Sequence, residues 1–346
     1  MTKSTIGASR RTFCTLAAAA AVPAFAVQGS KQSTPVNYFT GNGAWTYRLV
    51  NGWGALPNGM AFGGTHGAIA IDRSGHVYVS TQSETGVLVY TADGKLLKSI
   101  AHEYPEVHSM VYAEEGGEEY LYTTVQKGTP KENWLFVKMK TDGTVVQNIT
   151  APAEAGFQTT NAWRITSALP GPDGAIYIAN GYGDSRIFVF DKHGAYRKAF
   201  AGKGTEDGLC DCSHGIALDT RYGQPMLLVC DRENHRLTHF DLDGKFVGHV
   251  TQHLRRPCQI GFYGDYALIS ELEGRATILD RDNVPVAFLG DNSQKTQWAK
   301  YDVDPATIAP AIFTAAHGCY IDQDANVYIS DWNKSGRITK LSKIGI

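Results

Sequence analysis

The chain has 346 residues, 43% of them hydrophobic and 19% charged, with a formal net charge of −2. That composition excludes a disordered polymer, and it lacks the basic excess that nucleic-acid binding needs. Thirty-seven glycines and 17 tyrosines, with no long helical periodicity, point to many turns and many strands.

The first element is a targeting segment. Ser9-Arg10-Arg11-Thr12-Phe13 is a twin-arginine signal, followed by an apolar run from Leu16 to Val22 and a small-residue cleavage site at Ala24-Phe25-Ala26. The run is short for a bilayer span. The expectation is a signal peptide over 1–26, then one domain over 27–346, exported folded to the periplasm or beyond, with no stable membrane span after cleavage.

Six repeat units follow. Four are plain: from His66, from Ile165, from His214 and from His317. Two weaker ones start at His108 and Cys258. Each reads as strand, turn, strand, polar loop, strand, turn, strand, at the roughly 40–50 residues of a propeller blade. Asp93-Gly94, Asp142-Gly143, Asp173-Gly174 and Asp243-Gly244 are hairpin signals. The sixth unit stops after its third strand at Lys340-Leu341, and a matching fourth strand stands at 46–50. The prediction is an all-β, six-bladed β-propeller closed by its N-terminal strand, with 291–312 as a blade-to-blade loop. Outside the signal there are five cysteines, Cys210, Cys212, Cys230, Cys258 and Cys319. An odd count is no disulfide framework, although one bridge stays open.

Three histidines open the first strand of alternate units: His108, His214 and His317, spaced by 106 and 103 residues. In a six-fold ring they stand a third of a turn apart and converge on the axis. Three imidazoles with an open position form the catalytic zinc pattern. The loop between a blade's second and third strands returns to the same rim, which brings Tyr182 and Arg232 to that face. His66 stands one residue out of register and is expected at the rim. Arg164 and Cys258 are further candidates for the rim or a substrate contact. His235 and His239 read as ordinary polar positions.

The loops Asp231-Arg232-Glu233-Asn234-His235-Arg236-Leu237, Asn180-Gly181-Tyr182-Gly183-Asp184-Ser185-Arg186-Ile187 and Asp331-Trp332 through Arg337-Ile338 resemble those of NHL-repeat propellers. Within that class the chain resembles the peptidyl-α-hydroxyglycine α-amidating lyase domain, most closely over 163–248 and 315–341. The resemblance implies zinc on His108, His214 and His317, a base at Tyr182 and an active-site arginine at Arg232. The order His, Tyr, His, Arg, His is kept along the chain. Where the lyase places a calcium-binding Asp after its third zinc histidine, this chain has Gly318, so calcium is not expected. The implied activity is cleavage of a carbinolamide C–N bond in a small-molecule or peptide substrate. Two alternatives stand beside it: an NHL scaffold binding a protein, peptide or glycan, and a gluconolactonase-like hydrolase using Glu271, Glu273 or Asp331.

Overall fold

A computed structural model describes residues 36–126, 134–159, 162–251 and 253–345. The twin-arginine segment and the expected start of the mature chain lie outside the described residues. Residues 37–346 form one compact unit.

The described residues open with β1 (Phe39–Asn42) and β2 (Trp45–Leu49). Blade 1 follows as β3 (Ile69–Ile71), β4 (Val77–Ser80), β5 (Val87–Tyr90) and β6 (Leu96–Ile100). Blade 2 is β7 (Glu106–Glu115), β8 (Glu118–Gln126), β9 (Trp134–Lys140) and β10 (Val145–Ile149). Blade 3 is β11 (Ser167–Pro170), β12 (Ile176–Ala179), β13 (Arg186–Phe190) and β14 (Tyr196–Ala201). Blade 4 is β15 (Ser213–Asp219), β16 (Met226–Asp231), β17 (Arg236–Phe240) and β18 (Phe246–Val250). Blade 5 is β19 (Pro257–Tyr263), β20 (Tyr266–Glu271), β21 (Arg275–Leu279) and β22 (Pro285–Leu289). Blade 6 starts with β23 (Ala316–Ile321), β24 (Val327–Asp331) and β25 (Arg337–Lys343). Every sheet is an antiparallel meander, and together they make a six-bladed β-propeller.

Blade 6 is completed by β2, with Tyr47 opposite Lys343 and Leu49 opposite Leu341. A fifth strand, β1, extends this sheet. It was not legible as a strand, because Phe39-Thr40-Gly41-Asn42 shows no apolar alternation. It fills the seam beside blade 5, where Asn42 donates to the Val286 carbonyl and Thr40 Oγ1 accepts from Gly290 N–H. The stretch 291–312 is a blade-to-blade loop with two short 3₁₀ turns.

Each middle strand is buried on both faces, which is why Val77–Ser80 and Val87–Tyr90 read as apolar runs. The core is divided among the seams between adjacent blades. Blades 5 and 6 meet through Ile278, Leu289, Phe313, Val327 and Ile329. Blades 6 and 1 meet through Tyr328, Ile338, Leu88 and Tyr90. Each fully buried side chain of this size contributes about 1.5–3 kcal/mol of transfer free energy.

A polar brace recurs where the second strand gives way to the third. Asp231 accepts from the Asp211 N–H at 2.7 Å and from Arg236 Nε at 2.6 Å, and Arg236 reaches on to the Leu209 carbonyl. Glu271 does the same with the Arg255 N–H and Arg275, as does Asp331 with the Thr314 and Ala315 N–H groups and Arg337. In blade 3, Asn180 accepts from Arg164 N–H and donates to Asp184, which holds Arg186. Each brace ties the segment entering a first strand to the middle of its own blade.

Cys210, Cys212, Cys230, Cys258 and Cys319 are free and buried. His239 is not an ordinary polar position: it is buried, with Nε2 3.0 Å from Asp219. Asp219 also accepts from Arg221 at 3.0 and 2.8 Å, and Arg221 crosses to blade 5 at the Asp280 carbonyl and Asn283. Burial works against the Asp219 charge, but His239 and Arg221 outweigh it and hold the carboxyl well below its usual range. A carboxyl depressed on folding stabilises above its unfolded pKa and loses that contribution as the pH falls. Asp219→Ala, which strands a buried guanidinium, is expected to cost about 3–5 kcal/mol at neutral pH in urea unfolding. Its deficit against the parent protein should shrink as the pH drops below about 4; a pH-independent deficit would count against this linkage.

Candidate metal centre and active site

The axial face is built by a repeated irregularity. A register shift falls between Val107 and Ser109, between Ser213 and Ile216, between Pro257 and Gln259, and between Ala316 and Gly318. His108, His214, Cys258 and His317 therefore sit at bulges opening first strands. A bulge takes a residue out of the ladder and re-aims its side chain. Here four blades use it at the same place. Thr166 occupies the corresponding position in blade 3 and His66 in blade 1, so six residues surround the axis.

The three expected histidines converge. Their ring centroids are 5.0 Å apart for His108 and His214, 5.2 Å for His108 and His317, and 4.6 Å for His214 and His317. All three are buried. His66 is not only a rim residue: it lies 4.4 Å from His108 and 4.8 Å from His317, centroid to centroid. Gly67, at φ 65°, lets blade 1 enter by a different backbone path that still delivers His66 to the cluster. Two compact sets of ligand atoms result, each with all members within 4.8 Å of one another. One is His66, His108 and His317; the other is His214, Cys258 and His317.

Neighbouring blades lock the ring. His108 Nδ1 donates to the Thr166 carbonyl at 2.6 Å, and His214 Nδ1 donates to the Cys258 carbonyl at 2.9 Å. Thr124, Ser270 and Ser330 hydroxyls donate to the carbonyls of Thr166, His317 and His66. The blades approach so closely that a Cβ on Gly215 would meet the Cys258 carbonyl oxygen at 2.3 Å. One on Gly318 would meet the Gly67 carbonyl oxygen at 1.9 Å. A side chain at 318 does not fit this backbone, which supplies a steric reason for glycine where the resembled family has aspartate.

A carbonyl only accepts, so His108 and His214 carry their protons on Nδ1 and turn bare Nε2 lone pairs inward. Tyr182 places its hydroxyl 3.1 Å from His108 Nε2 and 3.0 Å from His214 Nε2. One phenolic proton cannot serve two lone pairs. His317 Nε2 is buried and makes no hydrogen bond. Burial, together with the neighbouring histidines and Arg232, lowers the pKa of His108, His214 and His317 well below the usual imidazole value, so they are neutral. Neutral imidazoles whose second nitrogen is pinned by a carbonyl have the arrangement of metal-ligating histidines. The donor set fits a divalent transition metal.

Arg232 lies beside Tyr182, with Nη1 3.4 Å from the hydroxyl and the guanidinium carbon 5.1 Å from the ring centroid. Its Nε donates to Glu233 at 2.9 Å, and Glu233 also accepts from Arg256. Burial raises the Tyr182 phenol above its ordinary value, while Arg232 pulls the other way. Arg164 approaches Tyr182 with its guanidinium carbon 5.8 Å from the ring centroid, and its Nε is buried without a hydrogen bond. Trp134 packs on both His108 and Tyr182, and Trp332 stacks on His66. His66 Nδ1 is 3.0 Å from Glu106 but out of line for a hydrogen bond.

Sequence reasoning missed Thr166, Trp134 and Glu106. The repeat register pointed to Thr166, since it stands where the other blades carry His or Cys; Trp134 and Glu106 carried no such signal. The carboxylates weighed for a hydrolase, Glu271 and Asp331, are occupied as braces.

A void of about 10 Å³ touches His108, Thr166, His214, Cys258 and His317. A larger cavity of about 380 Å³ is lined by residues farther along the first strands, among them Met110, Leu218, Phe262 and Ile321.

No family model matches the chain, and no curated protein matches its sequence. Solved structures do match. Selenomethionine-substituted virginiamycin B lyase from Staphylococcus aureus aligns with a TM-score of 0.54 and 12% identity, over 89% of this chain and 100% of that one. A streptogramin B lyase aligns with a TM-score of 0.56 and 12% identity, over 88% and 98%. At that identity the likeness establishes the shared propeller fold. Among the described residues no helix is long and apolar enough to cross a membrane.

Gly318→Ala is expected to cost about 1–3 kcal/mol by overpacking the contact between blades 6 and 1. Calorimetry would read this as a lowered Tm; an unchanged Tm would show that the two blades separate without strain.

Proposed function

We infer that the chain is an exported, zinc-dependent lyase of the α-hydroxyglycine-cleaving kind, with the metal held by His108, His214 and His317. The observation that carries this reading is the Tyr182 hydroxyl, set between two inward Nε2 atoms whose imidazoles are pinned by carbonyls. Two of the matching solved structures are named lyases, so the same fold accommodates lyase chemistry.

The substrate class is a carbinolamide, R–CO–NH–CH(OH)–COO⁻. A bound zinc ion supplies a Lewis acid that makes the substrate hydroxyl easier to deprotonate. Tyr182 takes that proton as general base. The C–N bond then breaks, the hydroxyl carbon becomes an aldehyde, and the departing nitrogen takes a proton back from Tyr182. The products are R–CO–NH₂ and OHC–COO⁻. Burial alone holds Tyr182 as a phenol, so its ionisation depends on nearby positive charge, of which Arg232 is one source. Arg232 also presents guanidinium donors to the substrate carboxylate, with Arg164 beside it.

The test begins with metal content of the protein recovered from its export route. About one zinc per chain is expected, lost in His108→Ala and His214→Ala. A metal-free chain whose variants remain folded would turn the reading toward a binding scaffold. Tyr182→Phe should keep its zinc and lose about 10²–10⁴-fold in kcat on an N-acyl-α-hydroxyglycine; undiminished turnover would remove the base.

A further inference from the structure

We propose that Cys258 is a metal ligand, so that the centre binds its ion through the Cys258 sulfur with His214 and His317, leaving His108 on the Tyr182 hydroxyl. This rests on the reading of the axial cluster as a metal centre and changes its donor set from three nitrogens to two nitrogens and a thiolate.

Four observations carry it. Cys258 stands at the same first-strand bulge as His214 and His317, and its side chain lies between that cluster and a small apolar group of Leu272 and Ala315. Its sulfur and the ring nitrogens of His214 and His317 form one of the two compact sets, and all three residues are buried. The backbone of Cys258 is anchored by the His214 Nδ1 donor, so thiol and imidazole are positioned by one contact. Within that set, His317 Nε2 is buried and without a hydrogen-bond partner; the Tyr182 hydroxyl stands 3.0 Å from His214 Nε2 and 3.1 Å from His108 Nε2, and turns to His108 when His214 takes the metal. The Cys258 thiol lies 3.7 Å from the Arg256 carbonyl and also meets the Arg232 side chain.

Cys210, Cys230 and Cys319 pack in the apolar seams between blades. Tetrahedral zinc places its nitrogen ligands about 3.3 Å apart, so a set within 4.8 Å closes by small side-chain shifts. Binding forms a metal–sulfur bond while the thiol proton passes to solvent, with no change of oxidation state. A thiolate makes the site softer and biases it toward zinc or cobalt over magnesium or calcium. Tyr182 and His108 would then remain beside the metal-holding residues to meet a substrate oxygen.

The experiment loads the purified full-length protein with cobalt(II) alone and records its absorption and cobalt content. The expected result is one bound cobalt per chain with a sulfur-to-cobalt charge-transfer band in the near ultraviolet. That band should persist in Cys319→Ser and vanish in Cys258→Ser. Cobalt bound with d–d bands but no charge-transfer band in the parent protein would overturn the thiolate and leave a histidine-only centre standing. No cobalt bound, with zinc equally unable to bind, would overturn the metal centre itself. The parent spectrum decides the matter even if Cys258→Ser fails to fold.

Discussion

The hydrogen bond from an imidazole Nδ1 to the backbone carbonyl of the next blade governs the chemistry at the axis. It fixes the tautomer of His108 and His214, and with it the direction in which their lone pairs point. It also couples blades, because the acceptor is always the axial residue of the following one. The ring's geometry and the site's electronic character are thus set by the same contacts. A shift of one blade against the next would change the donor atoms offered to anything bound at the centre.

Those contacts need support from farther out. The braces at Asp231, Glu271 and Asp331 each seize the backbone entering a first strand and hold it to the far end of the second. This places the acidic residues of the loops in structural service, while Tyr182 and Arg232, in the same class of loop, face the axis. Scaffold and site alternate within a few residues: Asp231 is bound by Arg236, whereas its neighbour Arg232 reaches Tyr182.

The fold was legible because a propeller repeats its apolar runs and Asp-Gly turns, and because a fourth strand missing at one end stood at the other. The convergence of His108, His214 and His317 followed from spacing alone. His66 was placed too far out because register counting assumes a common backbone path, and Gly67 departs from it. Cys258 was read as a rim candidate, and its place beside His214 and His317 depends on a bulge that is not visible in sequence. The carbonyls that pin the imidazoles could not be read at all, since a backbone oxygen carries no residue identity; only the three-dimensional register reveals whose it is.

The pairing of Tyr47 with Lys343 also has a consequence for the life history of the molecule. Blades 1 to 5 can form as they leave the ribosome, but the ring stays ajar until β25 has been made. Bringing those two segments together carries a loop-closure entropy cost of about 5 kcal/mol, offset only when the buried strand docks. After docking, one end of the folded body is held by the other. Fraying from either side must then first prise open blade 6, so resistance to proteases becomes a matter of unfolding rate at that single seam.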